Sequence, residues 1–77
     1  MKLLFILPDC KDCTTAKNML ELAGVDFESV DASTPEGEKL AAKYGVSKVP
    51  CLLVIEDDKE VDRAVGIQGI DIYLEHS

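Results

Sequence analysis

The chain opens on an almost unbroken apolar run, Leu3-Leu4-Phe5-Ile6-Leu7, set between Lys2 and Pro8. A run without polar alternation fits a strand covered on both faces, and a proline, which lacks the ladder donor, ends it. Beyond Pro8 the period changes. Cys13, Ala16, Leu20 and Ala23 recur at helical spacing with Met19 beside them, while Lys11, Asp12, Thr15, Lys17, Asn18 and Glu21 fall mostly on the other side. The pattern predicts an amphipathic helix over 11–23, closed by Gly24 as a left-handed cap. Phe27 and Val30 mark a weaker strand within 25–31. Thr34 then offers a cap, Pro35 suits the first helical position, and Glu36 and Glu38 complement the dipole of a helix reaching Tyr44. That helix turns Leu40, Ala41 and Tyr44 inward and stops at Gly45.

Val49-Pro50 leads into a third strand, Cys51 to Ile55. A polar turn over 56–59 connects it to a hairpin partner, Glu60 to Val65, in which Val61, Ala64 and Val65 carry the alternation. Gly66 breaks that strand, and Ile70 to His76 reads as a short last helix. The order is therefore β-α-β-α-β-β-α. A β-α-β unit places its strands in parallel through a right-handed crossover, and the late hairpin adds an antiparallel edge. The compact solution is an α/β fold with a four-stranded mixed sheet and helices on both faces. With 77 residues in all, the span 1–77 is a single domain, and its chemistry must sit on the surface of one scaffold.

The net charge of −7 excludes the clustered Lys and Arg by which proteins displace counterions from nucleic acid, and it disfavours an anionic membrane surface. No stretch reaches the roughly 18 apolar residues of a membrane helix. The initial apolar run stops at Pro8-Asp9 with no small-residue cleavage site after it, so it reads as a strand of a cytoplasmic monomer rather than a targeting segment.

The three cysteines change the picture most. Their number is odd, and Cys10 and Cys13 close too short a loop to act as a useful staple. Reactivity or metal binding explains that pair better. The segment Pro8-Asp9-Cys10-Lys11-Asp12-Cys13 follows a buried strand and opens a helix inside a β-α-β unit. Unpaired N–H groups and the positive dipole end stabilise a thiolate there. Cys10, exposed, would attack a target disulfide, and Cys13, one turn deeper on the same face, would resolve the mixed disulfide. Lys11 helps hold the thiolate and contributes to substrate binding, whereas Asp9 and Asp12 oppose it, so the Cys10 pKa should be lowered only in part.

Tyr44-Gly45-Val46-Ser47-Lys48-Val49-Pro50 resembles the thioredoxin superfamily, whose members carry a Y-G-V-x-x-V/I-P segment ending in a cis-proline opposite the C-x-x-C loop. The resemblance covers Lys2 to about Leu74 and implies a thioredoxin-like fold. It gives Val49 and Pro50 the substrate groove, with the Val49 backbone pairing with the substrate chain. Gly66-Ile67-Gln68-Gly69-Ile70-Asp71 is similar to the glycine-rich, acidic segment by which glutaredoxins hold glutathione, which makes Gly69 and Asp71 candidate binding residues. The chain departs from thioredoxins in having no tryptophan and in placing Leu4 where they keep a buried Asp. It departs from glutaredoxins in its Lys-Asp loop and in Val49 before the proline. The implied activity is that of a glutaredoxin/thioredoxin-type disulfide oxidoreductase with no bound cofactor. It would act on disulfide-bearing proteins or glutathione mixed disulfides and be recharged by glutathione or a flavoprotein reductase.

Cys51 stands just after the proline. It reads as a small buried hydrophobe, or as a third thiol that bridges Cys10 or Cys13. The latter supports an alternative function: a thioredoxin-fold module that holds a metal or a partner through Cys10, Cys13 and Cys51 without turnover. His76 reads as solvated, and no residue is assigned as a resident metal ligand.

Overall fold

The structure, a computed structural model, describes residues 1–76. Its elements follow the expected order: β1 (Lys2–Ile6), α1 (Lys11–Leu22), β2 (Glu28–Asp31), α2 (Pro35–Tyr44), β3 (Cys51–Glu56), β4 (Lys59–Val65) and α3 (Gly66–Glu75). The sheet runs β2-β1-β3-β4. β1 pairs in parallel with β2 and antiparallel with β3, and β3 pairs antiparallel with β4.

Period-two alternation along the central strands divides the core. Leu4 of β1, Leu52 of β3 and Ala64 of β4 face one way and meet Ala16 and Leu20 of α1 and Ile70 of α3. Leu3, Phe5, Cys51, Leu53 and Ile55 face the other way, against Leu40, Ala41 and Tyr44 of α2. Both sheet faces are thus covered, which is why β1 and β3 carry no polar alternation. Leu4, Leu20, Leu52, Leu53 and Ile70 have no exposed surface, and each contributes roughly 2 kcal/mol by its burial.

The α2 ends explain themselves locally. The Thr34 hydroxyl oxygen accepts the Gly37 N–H at 3.0 Å, a cap worth about 1 kcal/mol. The same hydroxyl donates to the Asp31 carbonyl at 2.9 Å and ties the helix start to the end of β2. At the far end Gly45 is left-handed (φ 65°), and the Val46 N–H reaches back to the Ala41 carbonyl at 2.8 Å, a closure that favours glycine because it has no Cβ to collide. The β3–β4 hairpin turns on Asp57 and Asp58, both at positive φ (52° and 63°). That hand matches the twist of the flanking strands, and aspartate tolerates it better than most residues.

Three expectations need correction. The second strand covers only 28–31, because Val25 and Phe27 pack against the α1/α3 side of the core before pairing begins. Val61 and Val65 do not turn inward, and Val65 at the strand's end is 41% exposed. The register shifts between Val54 and Ile55, leaving Val61 in a bulge and 55% exposed. Most consequential for the site, α3 starts at Gly66 rather than Ile70. Gly69 therefore lies within the helix, where a Cβ would meet the Ala64 backbone at 3.4 Å. At that distance a Cβ makes ordinary van der Waals contact, so nothing in the packing demands glycine there.

Candidate active site

Phe5 pairs with Cys51, and Cys51 with Val65, so the exit of β1, the entry of β3 and the end of β4 share one end of the sheet. The turn from β1 into α1 carries the cysteine pair to that end. Asp9 takes the left-handed conformation (φ 59°) and swings the chain so that Cys10 becomes the N-cap of α1 in extended geometry. The Cys10 sulfur accepts the Cys13 N–H at 3.1 Å. Its carbonyl receives the Thr14 N–H at 3.2 Å and the Thr14 hydroxyl at 3.3 Å. A sulfur in the N-cap position faces the otherwise unpaired amides of the first turn, where negative charge is favoured.

Cys10 and Cys13 are joined as a disulfide, their Cα atoms 5.2 Å apart. Cys10 is half-buried, while Cys13 is 3% exposed. The outer sulfur is the one a macromolecular disulfide can reach, and the inner sulfur is held against it by the helix. Lys11, Asp9 and Asp12 are all exposed around the pair.

Beside this turn the Val49–Pro50 peptide bond is cis. Pro50 is buried, and its carbonyl accepts the Gly66 N–H at 2.8 Å. Val49 is half-buried, and its backbone enters no ladder or turn hydrogen bond among the described residues. Cys10, Cys13, Lys11, Val49 and Pro50 thus gather at one end of the sheet. Gly69 and Asp71 do not form a turn before the last helix. Both lie inside α3, whose first turn holds no acidic residue and whose start has no side-chain cap. The extra four helical residues displace the motif.

Cys51 is separated from the pair by strand geometry. It sits on the α2 face of β3 with Phe5 and Leu53, whereas α1 lies on the opposite face. Among the described residues no three potential metal-ligating side chains come together, so the proposed grouping of Cys10, Cys13 and Cys51 does not form. Burial pushes the Cys51 thiol up, and the nearby Arg63 guanidinium only partly offsets this. A thiol that is harder to ionise when folded stabilises the fold below its ordinary value of 9.0, and that contribution is lost as pH rises toward the folded value. As pH rises above 9.0, the fall in melting temperature should therefore flatten in Cys51→Ala. In the reduced protein, iodoacetamide should modify Cys10 while sparing Cys51. Equal alkylation rates at the two would contradict the buried placement.

Two features escape the sequence. Asp9 in the left-handed region has only its residue type as a signal. Arg63 reaches the far end of α2, and nothing local in Asp62-Arg63-Ala64 announces it. No helix among the described residues is long and apolar enough to cross a membrane.

The sequence and the fold resemble those of known proteins. A family model described as Glutaredoxin matches residues 3–61. The SPbeta prophage-derived thioredoxin-like protein YosR of Bacillus subtilis is 40% identical over 62 residues, covering 79% of this chain and 75% of that protein. A thioredoxin of Chlamydia caviae is 34% identical over 65 residues, covering 80% of this chain and 64% of its own length. This chain therefore spans less than two thirds of that relative. Among solved structures, Fasciola hepatica thioredoxin superposes with a TM-score of 0.75 at 32% identity, covering 94% of this chain and 72% of that one.

Proposed function

Because the chain belongs to the glutaredoxin family, within the thioredoxin-like thiol–disulfide oxidoreductases, we propose that it is a dithiol electron carrier whose substrates are disulfide-bearing proteins. The observation that carries this reading is the Cys10 sulfur at the α1 N-cap, hydrogen-bonded by the Cys13 amide and joined to the Cys13 sulfur.

The cycle follows from those positions. In the reduced protein the Cys10 thiolate attacks one sulfur of the target disulfide. That S–S bond breaks, a mixed disulfide forms, and the other target sulfur leaves as a thiolate that takes up a proton. Cys13 then gives up its proton and attacks the Cys10 sulfur, which releases the second target thiol. Two electrons have moved to the target, and the Cys10–Cys13 disulfide remains. Val49, with backbone groups free beside the pair, aligns an extended polypeptide as an added strand would, and Pro50 shapes the turn that presents it. Lys11 supports the thiolate from the first turn of α1.

A protein substrate is favoured over glutathione by charge and by shape. Asp9 and Asp12 flank Cys10 with negative charge, and the acidic helix start that would hold one end of glutathione is absent. By the same reasoning the electron donor is a flavoprotein reductase rather than the glutathione pool. A cytoplasmic setting, where thiols are kept reduced, suits a carrier of this kind. The D9N/D12N double variant should speed the reduction of oxidised glutathione about threefold at low salt, with the gain fading at high salt as screening takes over. A rate that ignores both changes would remove the electrostatic ground for the preference.

The direct test of the activity is an equilibrium titration in glutathione redox buffers, with thiols trapped by alkylation and read by mass. Cys10 and Cys13 should interconvert as one two-electron couple at roughly −200 to −270 mV. Failure to form that disulfide reversibly would reject the carrier reading.

A further inference from the structure

Edge strand β4 and the first residue of α3, Gly66, grip the segment 45–50 at its two ends. At its exit, the Gly66 N–H holds the Pro50 carbonyl at 2.8 Å. At its entry, Arg63 donates through Nη2 to the Tyr44 carbonyl and through Nη1 to the Gly45 carbonyl at 3.2 Å. Ser47 and Lys48, between these anchors, are exposed.

Arg63 is itself aimed. Its Nε and Nη2 meet the two Glu60 carboxylate oxygens, each at 2.7 Å, a forked pair that fixes the guanidinium plane. The interaction holds the Glu60 carboxyl below its usual range and the Arg63 guanidinium above its own. Arg63 lies opposite Leu53, on the sheet face that receives Tyr44, Val46 and Val49. A cation at the last carbonyls of α2 also complements the negative end of the helix dipole. The geometry gives the side chain one task, which is to hold the α2 terminus where the loop departs.

We propose that Arg63 is a positioning residue for substrate. By fixing the α2 terminus from β4, it sets the span of the 45–50 loop and so the placement of the Val49 backbone against an extended polypeptide. This rests on the reading of that loop as the substrate groove. The side-chain partners of Arg63 are Glu60, Tyr44 and Gly45, so the Cys10–Cys13 exchange itself does not pass through it.

The test compares two disulfides. Insulin presents a polypeptide backbone to the groove, and dithiobis-nitrobenzoate, a small aromatic disulfide, presents none. Arg63→Met should raise the KM for insulin about fivefold with kcat nearly unchanged, equivalent to roughly 1 kcal/mol of lost ordering at about 1.4 kcal/mol per factor of ten. The rate with the small disulfide and the Cys10–Cys13 potential should stay at wild-type values. Arg63→Lys, which keeps a donor toward the carbonyls, should recover part of the KM. Thr34→Ala weakens α2 at its other end and should lower the melting temperature without moving KM. An unchanged insulin KM in Arg63→Met would overturn the proposal. So would a parallel loss with the small disulfide, or an equal KM rise in Thr34→Ala, since both mark general loosening. A wild-type protein that reduces neither compound would remove the carrier reading itself, and the role of Arg63 with it.

Discussion

Cys10→Ser should abolish disulfide reduction, by at least about a thousandfold, while leaving the fold intact. A serine hydroxyl at neutral pH supplies almost no anion, so the attacking group is lost. Yet serine is among the best N-cap residues, and its oxygen can accept the Cys13 N–H that the sulfur accepts at 3.1 Å. Melting should therefore match that of the reduced wild type, which separates chemistry from stability in one variant. Cys13→Ser should fail one step later. Cys10 still attacks, but no second thiol releases the target, and the mixed disulfide accumulates at the mass of the two partners. If Cys13→Ser turned over at the wild-type rate, resolution by Cys13 would be wrong. If the trapped species appeared in Cys10→Ser instead, the roles of the two sulfurs would be reversed.

Gly37→Ala should be the most damaging single-methyl change to stability. Two effects oppose each other. Alanine is favoured over glycine in a helix by about 1 kcal/mol. Against this, a Cβ on Gly37 would stand 1.8 Å from the Asp31 carbonyl oxygen and 2.7 Å from its carbon. Both are backbone atoms tied into β2 and the Thr34 cap, so neither can yield without moving the helix. Overpacking of this kind costs roughly 3 kcal/mol or more, well above the propensity gain. In a domain of this size that corresponds to a fall in melting temperature of about 15 °C. A shift of only a degree or two would mean that α2 does not sit this close to the end of β2.

Signals that act over a few residues were legible in the chain. The apolar run of β1, the helical period of α1, the Thr34-Pro35 start and the Gly45 stop each depend on neighbours in sequence, and each falls where the pattern places it. The same holds for the cysteine pair, because spacing and a helix start are local properties. What the chain concealed depends on distant partners. Gly66 and Gly69 look like interruptions, yet α3 begins at the first and runs through the second. Val61 belongs to a plausible alternation until the hairpin register shifts beside it. Cys51 is adjacent in sequence to the cis-proline Pro50, yet strand alternation turns it to the face away from α1. Arg63 is joined to Tyr44 across 19 positions of chain, which no window of sequence reveals.

The make-up of the interior bears on how protons travel. Among the described residues no polar or charged side chain is buried, and Leu4 is fully enclosed where α1 packs on β1. In the proposed cycle Cys13 therefore sheds its proton with no buried polar or charged side chain among the described residues to accept it. An apolar surrounding also makes a second anion beside the first costly. In that cycle the proton departs with the outgoing thiolate or to bulk water. The tempo of release is geared to the acidity of the partner's own leaving sulfur, so the carrier discharges fastest to targets whose thiols ionise most readily.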